Sequence, residues 1–469
     1  MNTVSPTLCP SWTRLAQHAE SWRSVHLREL FAADAARGRQ FVAEAPGVRY
    51  DYSRQRLGAM TLRLLTHLAA ERGFAEWREA LFAGSEINTT EKRPAWHTAL
   101  RAGESAPKEV KETLARMKAL CEKIRAQKPY RRIVSLGTGG SDLGPRLLAD
   151  ALSDGTVDVR FAANVDPRDL QRALEGAEPA ATLVVVVSKT FTTQETMANA
   201  EAAKQRGFRH LYAITANVEA AKAFGAAEIL PMWDWVGGRF SVWSAVSFAA
   251  ACAMGFERFE EFHKGAREID VHFSEAPLEK NLPALMALIG VWNTNFLGAP
   301  THAVLAYSNA LRLLPMYLQQ LEMESNGKRV DREGRVVEYA TAPILWGGEG
   351  TVSQHSFHQL LHQGTHVVPA DFIDVREDRV LSAHLRAQSD ALAYGTDDPD
   401  LPPHKSYPGN RPSSVLYVEG VNARNLGRLI ALYEHKVFTQ GVIWNINSFD
   451  QFGVELGKEL ARKILTGEH

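Results

Sequence analysis

A chain of 469 residues is too long for one compact core and predicts two domains. Its 45% apolar and 23% charged residues are those of an ordinary water-soluble globular protein. Lys+Arg 53 against Asp+Glu 54 leaves a formal charge of -1, which gives no global attraction for nucleic acid or an anionic membrane surface and leaves room only for a local basic pocket.

The opening stretch MNTVSPTLCPSWTRLAQHAE holds no continuous apolar run, so no secretory signal is expected there. WRSVHLRELFAADAARGRQFVAEA (22–45) and RLGAMTLRLLTHLAAERGF (56–74) carry apolar residues at mixed three- and four-residue spacings, as does EVKETLARMKALCEKIRAQ (109–127); all three predict helices. The period then changes. RRIVSLGTGGSDLGPRLLADAL (131–152) reads as strand, glycine-rich turn and helix, with Gly144 and Pro145 at the helix entrance. VDVRFAANVD (157–166) and RHLYAITAN (209–217) predict strands, and ATLVVVVSKTFTTQETMANAEAAK (181–204) repeats strand, turn and helix. This alternation predicts a doubly wound parallel sheet. A second series follows a helix over 281–298, with strands in THAVLAYS (301–308), GTHVVPADFIDV (364–375) and SSVLYVEG (413–420) and a helix over 426–444. PDLPPHKSYPGNRPSS (399–414) predicts a surface loop. LVVVV (183–187) is far too short to cross a bilayer. Cys9, Cys121 and Cys252 form no CxxC pair, which argues against a disulfide framework or structural zinc and for a reducing compartment. The expectation is a cytoplasmic α/β protein.

Two turns carry chemistry. After the buried-looking 181–187 strand comes SKTFTTQET (188–196). A helix N-terminus beyond a strand's carboxyl end offers free N–H donors and partial positive charge, which suit a phosphate; Ser188, Thr190 and Thr193 add hydroxyls and Lys189 adds charge. The competing reading is a capping box, Thr192 with Glu195. GTGGSDLG (137–144) has the same ambiguity; it is neither GxGxxG nor a P-loop, so a dinucleotide site is poorly supported.

GTGGSDLGP (137–145), SKTFTTQET (188–196), GGRFSVWSA (237–245), QQLEMESNGK (319–328), WGGEGTVSQHSFHQLLHQGT (346–365) and INSFDQFGVELGK (446–458), with GSEINTTEKRPAWHTALR (84–101) before them, together closely resemble the glucose-6-phosphate isomerase (phosphoglucose isomerase) family of the two-SIS-domain kind. The resemblance implies two doubly wound SIS-type α/β domains, expected at 109–275 and 276–469, with residues 1–108 a helical segment packing on the second. It implies aldose–ketose isomerisation of glucose 6-phosphate and fructose 6-phosphate without metal or organic cofactor, in a homodimer whose active site both subunits complete. Carried over by motif, Glu324 is the base that moves a proton between C1 and C2, His355 and Lys458 assist ring opening, and Arg239 faces the enediolate. Gly140, Ser141, Ser188, Lys189, Thr190 and Thr193 match phosphate and sugar contacts, and Gln320 and Gln451 further substrate contacts.

The residue types suit this chemistry. Proton removal beside a carbonyl needs a positioned base, the developing enediolate needs a fixed cation, and opening a hemiacetal suits a group titrating near neutrality. Taken singly, each residue has a plainer role: Glu324 as a solvated acid, Arg239 as the partner of Asp234, Lys458 on the outside of an amphipathic helix. His355, His358, His362 and His366 are spaced for one helical face, but Gly364 is expected to end that helix and no carboxylate stands at a suitable offset, so no metal site is expected. Departures from the family wording fall at Thr138, at Ala306, Ser308 and Asn309, and at Val352 and Ser353. A noncatalytic sugar-phosphate-binding SIS module, and an isomerase preferring another phosphosugar such as mannose 6-phosphate, are the alternatives.

Overall fold

The structure is a computed structural model that describes residues 3–396 and 398–467. The run Thr182–Val187 is buried along its whole length, as a central parallel strand must be when helices cover both faces. Numbered along the chain, the strands are β1 Val42–Ala45, β2 Val48–Asp51, β3 Arg132–Leu136, β4 Asp158–Ala162, β5 Thr182–Val187, β6 His210–Thr215, β7 Glu228–Pro231, β8 Thr301–Tyr307, β9 Ile344–Glu349, β10 Ala370–Asp374 and β11 Ser413–Val418.

They form two sheets. The first is wholly parallel, in the order β4-β3-β5-β6-β7. The second runs β1-β2-β11-β10-β8-β9; its β11, β10, β8 and β9 are parallel, and the β1–β2 hairpin joins its edge antiparallel to β11. Alternate side chains of each strand enter different cores. Leu183, Val185 and Val187 face a large central cluster, while Val184 and Val186 face an outer one with Ala200 and Ala203 of the helix Gln194–Gln205. In the second sheet Val304, Ala306 and Ile373 likewise face the central cluster, and Leu305 and Phe372 an outer one. The helices Phe256–Glu275, Leu282–Val291 and Ala423–Ile443 pack on one another and send their apolar side chains into the central cluster. The last is buried on every side from Leu429 to Ile443.

Every strand predicted from sequence is present. The differences lie elsewhere. Within 22–45 the helical residues are Trp22, which ends the helix Pro10–Trp22, then Leu27–Ala33 and a single turn, Arg37–Gln40; Val42–Ala45 is a strand that turns at Pro46–Gly47 into β2. The short strands β7 and β9 and the hairpin carried no separate period. Among the described residues no helix is long and apolar enough to cross a membrane.

Candidate active site

In the first sheet the chain leaves β3 towards β4 on one side, and leaves β5 towards β6 on the other. The helix Leu143–Leu152 sends Leu147 and Leu148 into the central cluster, whereas Gln194–Gln205 covers the outer face. The turns after β3 and β5 therefore diverge at a topological switch point, where such sheets bind ligands. Those turns hold Gly140 and Ser141, and Ser188 to Thr193.

In the second turn the hydroxyls bind one another: Ser188 Oγ lies 2.9 Å from Thr193 Oγ1, and Thr190 Oγ1 2.7 Å from Thr192 Oγ1. The helix starts at Gln194 and its cap residue Thr193 makes no side-chain cap bond, so the Thr192–Glu195 capping box does not form. Phe191 holds the turn at its middle, with φ 58° and its ring in the outer core against Phe224. Lys189 Nζ sits 3.2 Å from Asp234 Oδ1 and donates to the Asp234 carbonyl at 3.3 Å. Burial, then the charge of Arg93, lower its pKa, and Asp234 opposes them.

The turn after β3 meets the segment Gly238–Trp243. A Cβ on Gly140 would lie 2.1 Å from the carbonyl carbon and oxygen of Gly238, so only glycine permits that approach. The approach sets Arg239, 2% exposed, at the centre of a group of polar partners. Its Nε donates to Ser325 Oγ at 2.6 Å, Nη1 to Gln451 Oε1 at 3.0 Å, and Nη2 to the carbonyls of Ser448 at 2.6 Å and Asp450 at 3.1 Å. Nη1 also lies 3.5 Å from Glu324 Oε2. Burial lowers the guanidinium's pKa and Glu324 opposes the shift.

Glu324 ends a π-helical stretch, Gln320–Glu324, that follows the helix Leu314–Gln319. Such stretches recur at functional sites because they rotate one side chain out of helical register. The Gln320 amide donates to Glu324 Oε2 at 2.9 Å. Glu324, Gln320 and Gln451 line a cleft of about 700 Å³. An adjoining cleft of about 600 Å³, lined by Lys189, Thr190, Arg93 and Asp234, shares Gln451 with it.

The structure thus brings Arg239, Gln320, Glu324 and Gln451 into direct contact, with Gly140 packed behind them and the Lys189 turn beside them. It does not bring His355 or Lys458 there. His355 ends the turn Val352–His355 and lines a separate cleft with His358, His362 and Gln388. The helix His358–Gln363 starts only after it, so the four histidines do not share one helical face. His358 Nδ1 and His362 Nε2 both approach Gln388 Oε1, at 3.2 and 2.8 Å. Lys458 lies on the helix Glu455–Thr466, none of whose residues is buried. The departures at 306–309 leave the local structure in register: Ala306 pairs with Glu349, and Asn309 donates to Glu349 Oε1 at 2.9 Å.

Sequence reasoning missed Lys328 and Asp450 within motifs it quoted. Lys328 Nζ donates to Asp450 Oδ1 at 2.7 Å, and both line the larger cleft. Burial lowers the Lys328 pKa against the pull of Asp450. Arg93 and Glu91, which line the smaller cleft, also lie in a quoted stretch, GSEINTTEKRP.

The family model "Phosphoglucose isomerase" matches residues 51–469. A glucose-6-phosphate isomerase from Dechloromonas aromatica (strain RCB) is 45% identical over 98% of this chain and 95% of its own. One from Anaeromyxobacter sp. (strain K) is 47% identical over 97% and 92%. The crystal structure of a glucose-6-phosphate isomerase from Chlamydia trachomatis D/UW-3/Cx superposes with a TM-score of 0.93 at 37% identity, covering 99% of this chain and 96% of that one. The chain belongs to the phosphoglucose isomerase family.

Proposed function

We propose that this protein interconverts glucose 6-phosphate and fructose 6-phosphate, as glycolysis and gluconeogenesis require, with no metal or organic cofactor. The observation that carries the reading is the Arg239–Glu324 pair, 3.5 Å apart, whose glutamate lines a cleft that shares Gln451 with the cleft of Lys189. A sugar phosphate held by its phosphate at Ser188, Lys189, Thr190 and Thr193 extends its reacting end towards Glu324. Gly140 and Ser141 meet it from the neighbouring turn, and Gln320 and Gln451 orient the chain. Binding the non-reacting end makes proton transfer effectively intramolecular. Glu324 removes the proton beside the carbonyl and returns it to the adjacent carbon. Arg239, already held by four acceptors, meets the enediolate charge without reorganising.

Ring opening is assigned to His355 and Lys458. The separation of His355 from Glu324 within one chain supports a homodimer in which a second subunit contributes it. So does the apolar stripe Leu456, Leu460 and Ile464, exposed at 66%, 48% and 77%, since a stripe of this kind on a helix marks a surface that packs on something. A cytoplasmic location fits the chemistry.

The test is a coupled assay of fructose 6-phosphate conversion by purified, EDTA-treated protein. Turnover is expected; silence would leave a binding module, and a strong preference for mannose 6-phosphate would reassign the substrate. Two dead variants, Glu324→Gln and His355→Ala, unfolded and refolded together, should regain about a quarter of wild-type activity: half the dimers are mixed, and each has one intact site. No recovery would contradict a shared site.

A further inference from the structure

Glu322 lies two residues before the proposed base, and a two-residue step on a helix points to the opposite side. Glu324 faces the cleft; Glu322 faces the interior, 1% exposed. There it meets Lys436, 2% exposed, whose Nζ donates to Oε2 at 2.7 Å. Lys436 comes from the middle of the buried helix Ala423–Ile443. Asn326 Nδ2 donates to Glu322 Oε1 at 3.2 Å, and the Gln440 amide, turned with its nitrogen towards Glu322, donates at 3.0 and 3.1 Å.

The pair does not end in the core. Asn326 Nδ2 also donates to the Val437 carbonyl at 3.1 Å, and Asn326 Oδ1 accepts from Ser448 Oγ at 2.7 Å. The Ser448 carbonyl then accepts from Arg239 Nη2, and Ser325 Oγ from Arg239 Nε, both at 2.6 Å. A Cβ on Gly441 would stand 2.0 Å from Ser448 Oγ, so the helix carries glycine where this link crosses it. One continuous chain of buried hydrogen bonds therefore joins Lys436 to both the segment bearing Glu324 and the cation facing it.

We propose that Lys436 and Glu322 are positioning residues of the reaction: a buried ion pair that fixes the spacing and orientation of Glu324 against Arg239. The proposal rests on the roles given above to Glu324 and Arg239. A buried pair is poor evidence of net stabilisation, because desolvating two charges offsets their attraction. Geometric definition is what this one supplies, and an ångström of misplacement at a reacting centre costs about a hundredfold in rate.

Removing one charge would strand the other in the core, so the test uses the double variant Glu322→Gln/Lys436→Met, with thermal melting and steady-state kinetics on fructose 6-phosphate. Expected is a melting temperature close to wild type, KM within about twofold because the 188–193 turn is untouched, and kcat lowered about ten- to a hundredfold. A folded double variant with kcat within about twofold of wild type would overturn the proposal. Should the double variant not fold, Ser448→Ala removes one hydroxyl in the same chain and is expected to lower kcat several-fold at unchanged KM; wild-type kcat there would equally overturn it. Glu324→Gln is run alongside: normal turnover by that variant would show that the base itself is misassigned, whereas a dead Glu324→Gln beside a fully active double variant refutes the positioning role alone.

Discussion

Arg239→Lys isolates geometry from charge. The guanidinium spans acceptors on Ser325, Gln451, Ser448 and Asp450 at 2.6–3.1 Å, while an ammonium has one nitrogen and cannot reach all four. Lysine keeps the positive charge near Glu324, but its three N–H donors leave at least one of the four acceptors unpaired, at about 1–3 kcal/mol. The expected loss of stability is at least about 1–3 kcal/mol, read as a lowered urea midpoint. The cation facing the enediolate is also displaced and free to rotate. Removing one preorganised donor of this kind costs about 10²–10³ in kcat, and the untouched 188–193 turn should hold KM within about threefold. A folded Arg239→Lys enzyme with kcat within about threefold of wild type would refute the reasoning, because charge without the fork would then suffice.

Lys189→Met should raise KM for fructose 6-phosphate at least about tenfold and weaken inhibition by inorganic phosphate, with a smaller change in kcat; unchanged KM would remove Lys189 from phosphate binding. Burial and Arg93 lower the Lys189 pKa, so its cation is lost, and KM rises, at a lower pH than for a free lysine near about 10.4. Arg stays charged, so Lys189→Arg should abolish that alkaline rise. His263, buried between Trp243 and Phe259 with Nε2 unpaired, has its pKa pushed down to about 3 by burial. It stays neutral in the fold while the unfolded chain takes up a proton below about pH 6.5, so stability falls as pH drops from 7 towards 3. At pH 5 this one group accounts for about 2 kcal/mol. His263→Phe should narrow the gap between melting temperatures at pH 7 and pH 5; an unchanged gap would assign the acid sensitivity elsewhere.

Much of this was legible in the chain because parallel strands buried on both faces are continuous apolar runs. ATLVVVV has no other soluble use, and the strand–turn–helix order placed both phosphate-type turns at carboxyl ends of strands. The hairpin was hidden for a physical reason. Phe41, Ala43 and Ala45 follow a helical stretch without a break in apolar spacing, and the turn signal is the single dipeptide Pro46–Gly47. Strand β9, ILWGGE, is only partly covered and glycine-rich, so neither period marks it. The contact of Arg239 with Glu324 joins residues 85 positions apart and depends on a glycine permitting Gly140 to touch Gly238, which no local pattern encodes. Nothing in the local sequence marks Glu322 and Lys436 as a buried pair, since long-range partners decide whether a charged residue is tolerated inside.

The central claim is that Glu324 carries a proton between C1 and C2, and its most direct test is Glu324→Gln in deuterated water. Wild-type enzyme converting fructose 6-phosphate should place deuterium at C2 of the glucose 6-phosphate formed. The amide cannot accept the proton, so the variant should melt like wild type, still bind inorganic phosphate, and lose at least about 10²–10⁴ in turnover together with the deuterium incorporation. Deuterium at C2 formed by Glu324→Gln at a near wild-type rate would contradict the account.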